Sequence, residues 1–228
     1  MKSITDNKMI EEFADLIPPG LKQLSGSVFY SGRNAFQGRK SLYVLGLNPG
    51  GDPILQRNET VAWHINRVLK LKPDCWSEYK DQSWNGHPPG TYRLQPRVLH
   101  FFRMLKVNAC DVPSSNVCFV RSNRAISIAS LFNNYAELCW PFHDAVIDKL
   151  GVTVVLCFGQ DAGNFVRNKL AANTKIDQFE EKNNRKWKSL VFENSKGQRV
   201  IVATHPSVAD WTKTETDPSP LIKRNLLQ

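Results

Sequence analysis

Four short apolar runs punctuate the chain, and each stops at a cluster of turn-forming residues. Leu42 to Leu47 (LYVLGL) ends at Asn48-Pro49-Gly50-Gly51, and Asn116 to Val120 (NVCFV) runs into Arg121-Ser122-Asn123-Arg124. Val152 to Phe158 meets Gly159-Gln160-Asp161, and Val200 to Ala203 meets Thr204-His205-Pro206-Ser207. Runs that are continuous in Val, Leu and Ile, rather than alternating with polar residues, read as strands buried on both faces. Helical spacing falls between them: Asn7 to Leu16, stopped by Pro18-Pro19-Gly20; Pro96 to Leu105; Tyr135 to Leu150, with Pro141 predicting an irregular early part; and Ala162 to Ala172, capped by Gly159-Gln160-Asp161. Asp177 to Gln198 is polar and basic and reads as a solvated hairpin or loop. Strands alternating with helices predict an α/β fold, a three-layer αβα arrangement around a mainly parallel four-stranded sheet. No internal repeat and no linker rich in Gly, Ser or Pro divides the chain, so residues 1–228 read as one domain.

In sheets of this kind ligands sit beyond the carboxyl ends of the strands. The polar residues that stand out in this sequence lie there: Asn48 after the first strand, Arg121 and Asn123 after the second, His205 after the fourth. Singly, each has an ordinary reading. Asn48 before Pro49 is a turn residue, His205 before Pro206 is a turn histidine, and Asn116 stitches a loop to backbone. Together, on neighbouring loops of one sheet, they form a candidate site. Asn116 opens its predicted strand, so its membership depends on where that boundary falls.

Charge and composition narrow the classes. The chain has 228 residues, 41% of them hydrophobic and 10% aromatic, with ordinary Gly and Pro, which excludes disordered and collagen-like classes. A formal charge of +9 favours a polyanionic partner such as nucleic acid, or else a basic solvated surface. Five scattered cysteines with no C-x-x-C pair argue against a disulfide framework and against zinc or iron–sulfur sites. They predict a reducing compartment, the cytoplasm. No apolar stretch approaches the roughly 20 residues of a membrane span. The amino-terminal MKSITDNKMIEEF lacks a hydrophobic signal core, so no secretion or anchoring signal is expected. Neither G-x-x-x-x-G-K nor G-x-G-x-x-G occurs, which disfavours a nucleotide-binding enzyme.

Gly46-Leu47-Asn48-Pro49-Gly50-Gly51 resembles the first motif of the uracil-DNA glycosylase superfamily, in the G-x-N-P-G form of its mismatch-specific and single-strand-selective branches. His205-Pro206-Ser207, after an apolar strand, resembles the second motif of that family. Ser115 to Arg121 is similar to the strand whose Asn reads the base, and Leu156 to Ala162 to the strand–Gly–helix segment before the second motif. The likeness runs from about Tyr30 to Trp211, in order.

The resemblance implies hydrolysis of the N-glycosidic bond of uracil or a related deaminated base in DNA, in a nucleotide flipped from the stack, with no cofactor and no metal, by a monomer. Asn48 would position the water, and His205 would donate to the base O2 as negative charge grows there. Asn116 would distinguish uracil from cytosine by its amide. Gly50 and Gly51 would let backbone approach the base or a phosphate, and Ser207 would contact a phosphate. Val208, Ala209 or Trp211 would enter the stack as a wedge, and Arg121, Arg124 and the Lys182 to Lys188 run would face the DNA backbone. The sequence departs from the family in having no Phe soon after the first motif; Trp63 or Tyr92 would then stack on the base. Asp52 offers an alternative general base, and its other reading is a turn residue before Pro53. A non-catalytic nucleic-acid-binding or sensor protein with the same pocket is the second functional reading.

Overall fold

The computed structural model describes residues 8–226, with the side chains of 125–127 left aside. Its centre is a six-stranded sheet of order β2-β1-β3-β6-β5-β4, formed by β1 (Leu42–Gly46), β2 (Ser114–Asn116), β3 (Val154–Phe158), β4 (Thr174–Glu180), β5 (Lys188–Glu193) and β6 (Arg199–Ala203). β2, β1, β3 and β6 run parallel, while β5 and β4 continue the sheet as an antiparallel hairpin. Four strands were expected and six are present. The two additional strands hide in the polar segment because β4 is an edge strand whose side chains are mostly solvent-facing, with a register shift between Lys175 and Asp177.

Among the described residues eight α-helices surround the sheet: α1 (Met9–Asp15), α2 (Pro19–Lys22), α3 (Val61–Leu71), α4 (Glu78–Asp81), α5 (Gln95–Leu105), α6 (Ala125–Leu150), α7 (Gln160–Lys169) and α8 (Ser219–Leu226). Strand alternation sorts the core into two halves. Tyr43, Leu45, Val155, Cys157, Val200 and Val202 pack with Phe13, Val68, Phe142 and Phe165 from α1, α3, α6 and α7. Val44, Leu156, Phe158, Ile201 and Ala203 pack with Tyr79, Phe101, Trp211 and Leu221 on the other face. The three-layer arrangement is therefore present.

Several boundaries differ from expectation. The second strand is Ser114–Asn116, not 116–120: its serines are fully buried, and their hydroxyls donate to Val112 O and Val28 O. A polar triplet can thus sit in a core strand, whereas the apolar run after it continues only as Val117 and Cys118 N–H bonds to Gly46 O and Leu47 O. Asn116 closes its strand instead of opening it. α6 is one helix of 26 residues that passes through Pro141, ten residues longer at its start than the predicted Tyr135 to Leu150. Asn7, the predicted start of the first helix, lies outside the described residues. Cys75 and Cys110 are joined by a disulfide, contrary to the expectation from the scattered cysteines; 35 residues separate them in sequence, so no local motif marks the pair. Cys118, Cys139 and Cys157 are free and buried. Among the described residues no helix is long and apolar enough to cross a membrane.

One buried polar pair ties α6 to the sheet. Fully buried His143 bonds Val117 O through Nε2 and the Tyr43 hydroxyl through Nδ1. A carbonyl only accepts, so Nε2 carries the proton and Nδ1 accepts from Tyr43. Burial pushes the His143 pKa down to about 4, so the ring is neutral in the fold. His143→Ala leaves a core hydroxyl and carbonyl unpaired beside a cavity, and is expected to lower the unfolding free energy by about 2–5 kcal/mol in urea titrations.

Candidate active site at the carboxyl edge of the sheet

Because four strands run parallel, Asn48, Asn116, Gly159 and His205 all emerge at one edge. Gly46 pairs directly with Asn116, and a Cβ built on Gly46 would lie 2.2 Å from Asn116 Oδ1. Glycine at 46 is thus required for the Asn116 carboxamide to lie across β1. Asn116 is 4% exposed, and its Nδ2 is buried without a hydrogen-bond partner. A buried donor left open is costly unless something else fills it.

Asn48 is held from its donor side. Nδ2 lies 3.1 Å from Pro49 O, 3.2 Å from Val120 O and 2.8 Å from Ser122 Oγ. Two of these are carbonyls, and the Ser122 hydroxyl spends its proton on Arg124 O. The network therefore fixes which end of the amide is NH2, and no described group donates to Oδ1. Arg121 fastens the same loop, donating to Gly50 O, Ser25 Oγ and Glu59. Its side chain is 10% exposed. The guanidinium expected to face DNA is spent inside the protein as a staple. Gly51 stands at φ 120°, where a Cβ would strike Gln56 Oε1.

His205 sits on a loop clamped from three sides: Arg97 Nη1 donates to Pro206 O, Trp211 Nε1 to Thr204 O, and Arg185 Nη1 to Val208 O. The His205 ring stands edge-on to Phe158, centroids 6.1 Å apart. Its Nδ1 accepts from the Ser207 backbone N–H at 3.0 Å, with Ser207 Oγ at 2.7 Å. An N–H only donates, so Nδ1 is unprotonated and the neutral ring carries its proton on Nε2. Burial lowers the His205 pKa to about 4, which keeps the ring neutral at physiological pH. Ser207, expected at a phosphate, is engaged with the imidazole.

Other expectations are corrected. Trp211 and Ala209 are fully buried, the indole packed edge-on against Phe101 and Phe158, so neither can be a wedge; Val208, 53% exposed at the loop tip, can. Arg124 is exposed at the start of α6. Trp63 is half-exposed on α3 with the Arg67 guanidinium 5.3 Å from its ring centre, and no described hydrogen bond or ring contact joins it to Asn48, Asn116 or His205. Tyr92 stacks on His87 instead. Asp52 Oδ1 accepts from the backbone N–H groups of Leu55 and Ile54, and these hold its carboxyl below the usual carboxylate range, as befits a turn cap more than a base. Leu47, the residue before Asn48, lines a cleft of about 360 Å³ together with Phe132, Asn133, Asp161 and Phe165.

Sequence reading missed the aromatic wall. Tyr30, Tyr79, Phe158 and His205 follow one another at 5.8, 6.4 and 6.1 Å between ring centres. Burial raises the pKa of the Tyr30 phenol, the charge of Glu78 adds to this, and the Ser27 and Asn116 side chains oppose it. Glu78 accepts from Trp84 Nε1 at 2.6 Å, while its Oε2 is buried without a partner. Only the fold brings these residues to Asn116: Glu78 N–H donates to Tyr30 O, and Tyr30 N–H to Ser114 O on β2. No group of three or more His, Cys, Asp or Glu suited to a metal is found among the described residues. No family model matches the chain, and no curated protein does.

The tautomer is directly measurable. In long-range 1H–15N spectra, Nδ1 of His205 is expected at an unprotonated, pyridine-like shift and Nε2 at a protonated one from pH 8 to about 5, with titration near pH 4. Unfolded His titrates near 6.5, so the unfolded chain binds the extra proton first and this site loses stability as pH falls from about 6.5 towards 4.

Proposed function

We propose that the protein is a DNA glycosylase that hydrolyses the N-glycosidic bond of uracil, or a related deaminated base, in a nucleotide flipped out of its strand. The observation that carries the reading is a pair of donors at one sheet edge that no described group accepts: the buried Asn116 Nδ2, and His205 Nε2–H, which the Ser207 N–H bond to Nδ1 leaves as the ring's donor. The open acceptor of Asn48 stands between their strands' ends, since β1 lies between β2 and β3. Neighbouring strands are about 4.8 Å apart, so β2 and β6, with β1 and β3 between them, end about 14 Å apart, a span that the Asn116 and His205 side chains narrow from either end. That gap accommodates a pyrimidine ring with a hydrogen bond of about 2.9 Å on either side.

In this scheme Asn48 Oδ1 accepts a hydrogen bond from a water and aims its oxygen at the sugar C1′. The water oxygen bonds to C1′ as the C1′–N bond breaks, and that bond's electron pair leaves with the base. His205 Nε2–H supports the negative charge gathering at O2, a role that needs a neutral ring, in keeping with the lowered pKa. The water's proton passes to solvent or to the departing base, leaving an abasic sugar. Asn116 Nδ2 donates to O4 of uracil; cytosine presents an amine there, so donor would meet donor. The basic surface and the exposed Val208 support DNA as the partner.

The test is excision from uracil-containing single- and double-stranded oligonucleotides, read as alkali-labile breaks. Asn48→Ala and His205→Ala are each expected to reduce the single-turnover rate by about 10²–10³, and Asn116→Ala to do so while raising the share of cytosine excised. DNA binding with no breaks from the wild-type protein would favour the sensor reading. Asp52→Asn abolishing excision while Asn48→Ala stays mild would reverse the assignment of the water-positioning group.

A further inference from the structure

We infer that the turn of the β4–β5 hairpin, residues 181–187, is a second DNA-binding element that grips the backbone beside the His205 loop and offers Trp187 as a stacking surface for an unpaired base. The inference rests on the glycosylase reading for DNA as the partner, but on different residues.

Topology places the turn. β5 runs antiparallel to β6, with Leu190 opposite Val202, so the start of β5 lies beside the end of β6. The hairpin turn therefore projects from the same edge of the sheet as Asn48, Asn116 and His205. Two bonds fasten it to the site: Arg185 Nη1 donates to Val208 O at 2.7 Å, and Thr204 N–H donates to Ser189 Oγ at 3.0 Å. A third, from Lys182 N–H to Glu215 O, anchors its outer side.

The turn is built to hold a shape. Glu181, 1% exposed, accepts from Asn183 Nδ2 and Arg185 Nη2 through Oε2, and Asn183 Oδ1 accepts the Arg185 N–H. The only acid among residues 181–188 is thus turned inward, while Lys182, Arg185, Lys186 and Lys188 are exposed. Lys188 is paired with Glu180 at 3.1 Å and Arg185 with Glu181 at 2.8 Å, so Lys182 and Lys186 supply the cationic face. Trp187 is 44% exposed and has the Arg185 guanidinium 4.1 Å from its ring centre. Cations along a backbone track beside a solvent-facing indole are the combination that binds single-stranded nucleic acid without reading its sequence. Arg185 joins the two parts, since the same guanidinium contacts the indole, the buried Glu181 and the loop that carries Val208.

The experiment is fluorescence anisotropy of a labelled single-stranded oligonucleotide without uracil, titrated with the full chain over a series of salt concentrations. Trp187→Ala is expected to weaken binding by about 5- to 100-fold, and Trp187→Phe to restore most of it. The double variant Lys182→Gln/Lys186→Gln is expected to weaken binding and flatten the slope of log Kd against log salt by about 1–2. Circular dichroism identical to wild type confirms that each variant is folded. Wild-type affinity in all folded variants would overturn the inference, as would no DNA binding by the wild type. Hairpin-dependent binding from a protein that excises nothing would sustain it while refuting the glycosylase reading.

Discussion

The parallel pairing of β2, β1, β3 and β6 is the constraint on which everything else rests. It makes four carboxyl ends finish at one edge, so residues separated by more than 150 positions, Asn48 and His205, arrive on loops two strands apart. At the β1–β2 pair this demands a missing side chain: Gly46 leaves the space in which the Asn116 carboxamide lies. At the β3–β6 pair, Gly159 at φ 91° turns the chain into α7 against the His205 ring. The edge is furnished by what the backbone omits as much as by the polar groups it carries.

Each polar group is then aimed by a partner on its far side. Asn48 is gripped through Nδ2 by two carbonyls and Ser122, Asn116 lies over Gly46, and His205 is set by the Ser207 N–H. What remains open is one acceptor and two donors. Preorganised groups of this kind cost no reorganisation when a reaction needs them. Burial that keeps His205 neutral leaves it a donor that does not compete for the proton of a leaving group. The clamp by Arg97, Trp211 and Arg185 fixes the loop that carries it.

Much of this was legible in the sequence. Apolar runs ended by turn residues marked three of the four parallel strands, β1, β3 and β6, and met the fourth only at Asn116, while the rule that polar loops gather at carboxyl ends singled out Asn48 and His205. The failures have physical causes. Ser114 and Ser115 form a core strand because backbone carbonyls satisfy their hydroxyls, which an apolar-run rule cannot register. β4 escaped because an edge strand needs few apolar residues. Trp211 and Ala209 follow an exposed loop yet turn into the core, and Arg121, basic and next to the site, is consumed by Gly50, Ser25 and Glu59. Tyr30, Tyr79 and Glu78 carry no local signal, since only tertiary contact brings them to Asn116. The Lys182 to Lys188 run read as a basic stretch on a solvated hairpin or loop that would face DNA, but the inward rotation of Glu181 is invisible in one dimension.

The most direct test of convergence on a single base is a crystal structure of the protein with an oligonucleotide carrying 2′-fluoro-2′-deoxyuridine, which resists hydrolysis. The account predicts the uracil out of the stack, O4 within hydrogen-bond distance of Asn116 Nδ2, O2 within reach of His205 Nε2, and a water between Asn48 Oδ1 and C1′. A uracil still stacked in the strand, or seated in the cleft beside Leu47 and Phe132, would contradict it.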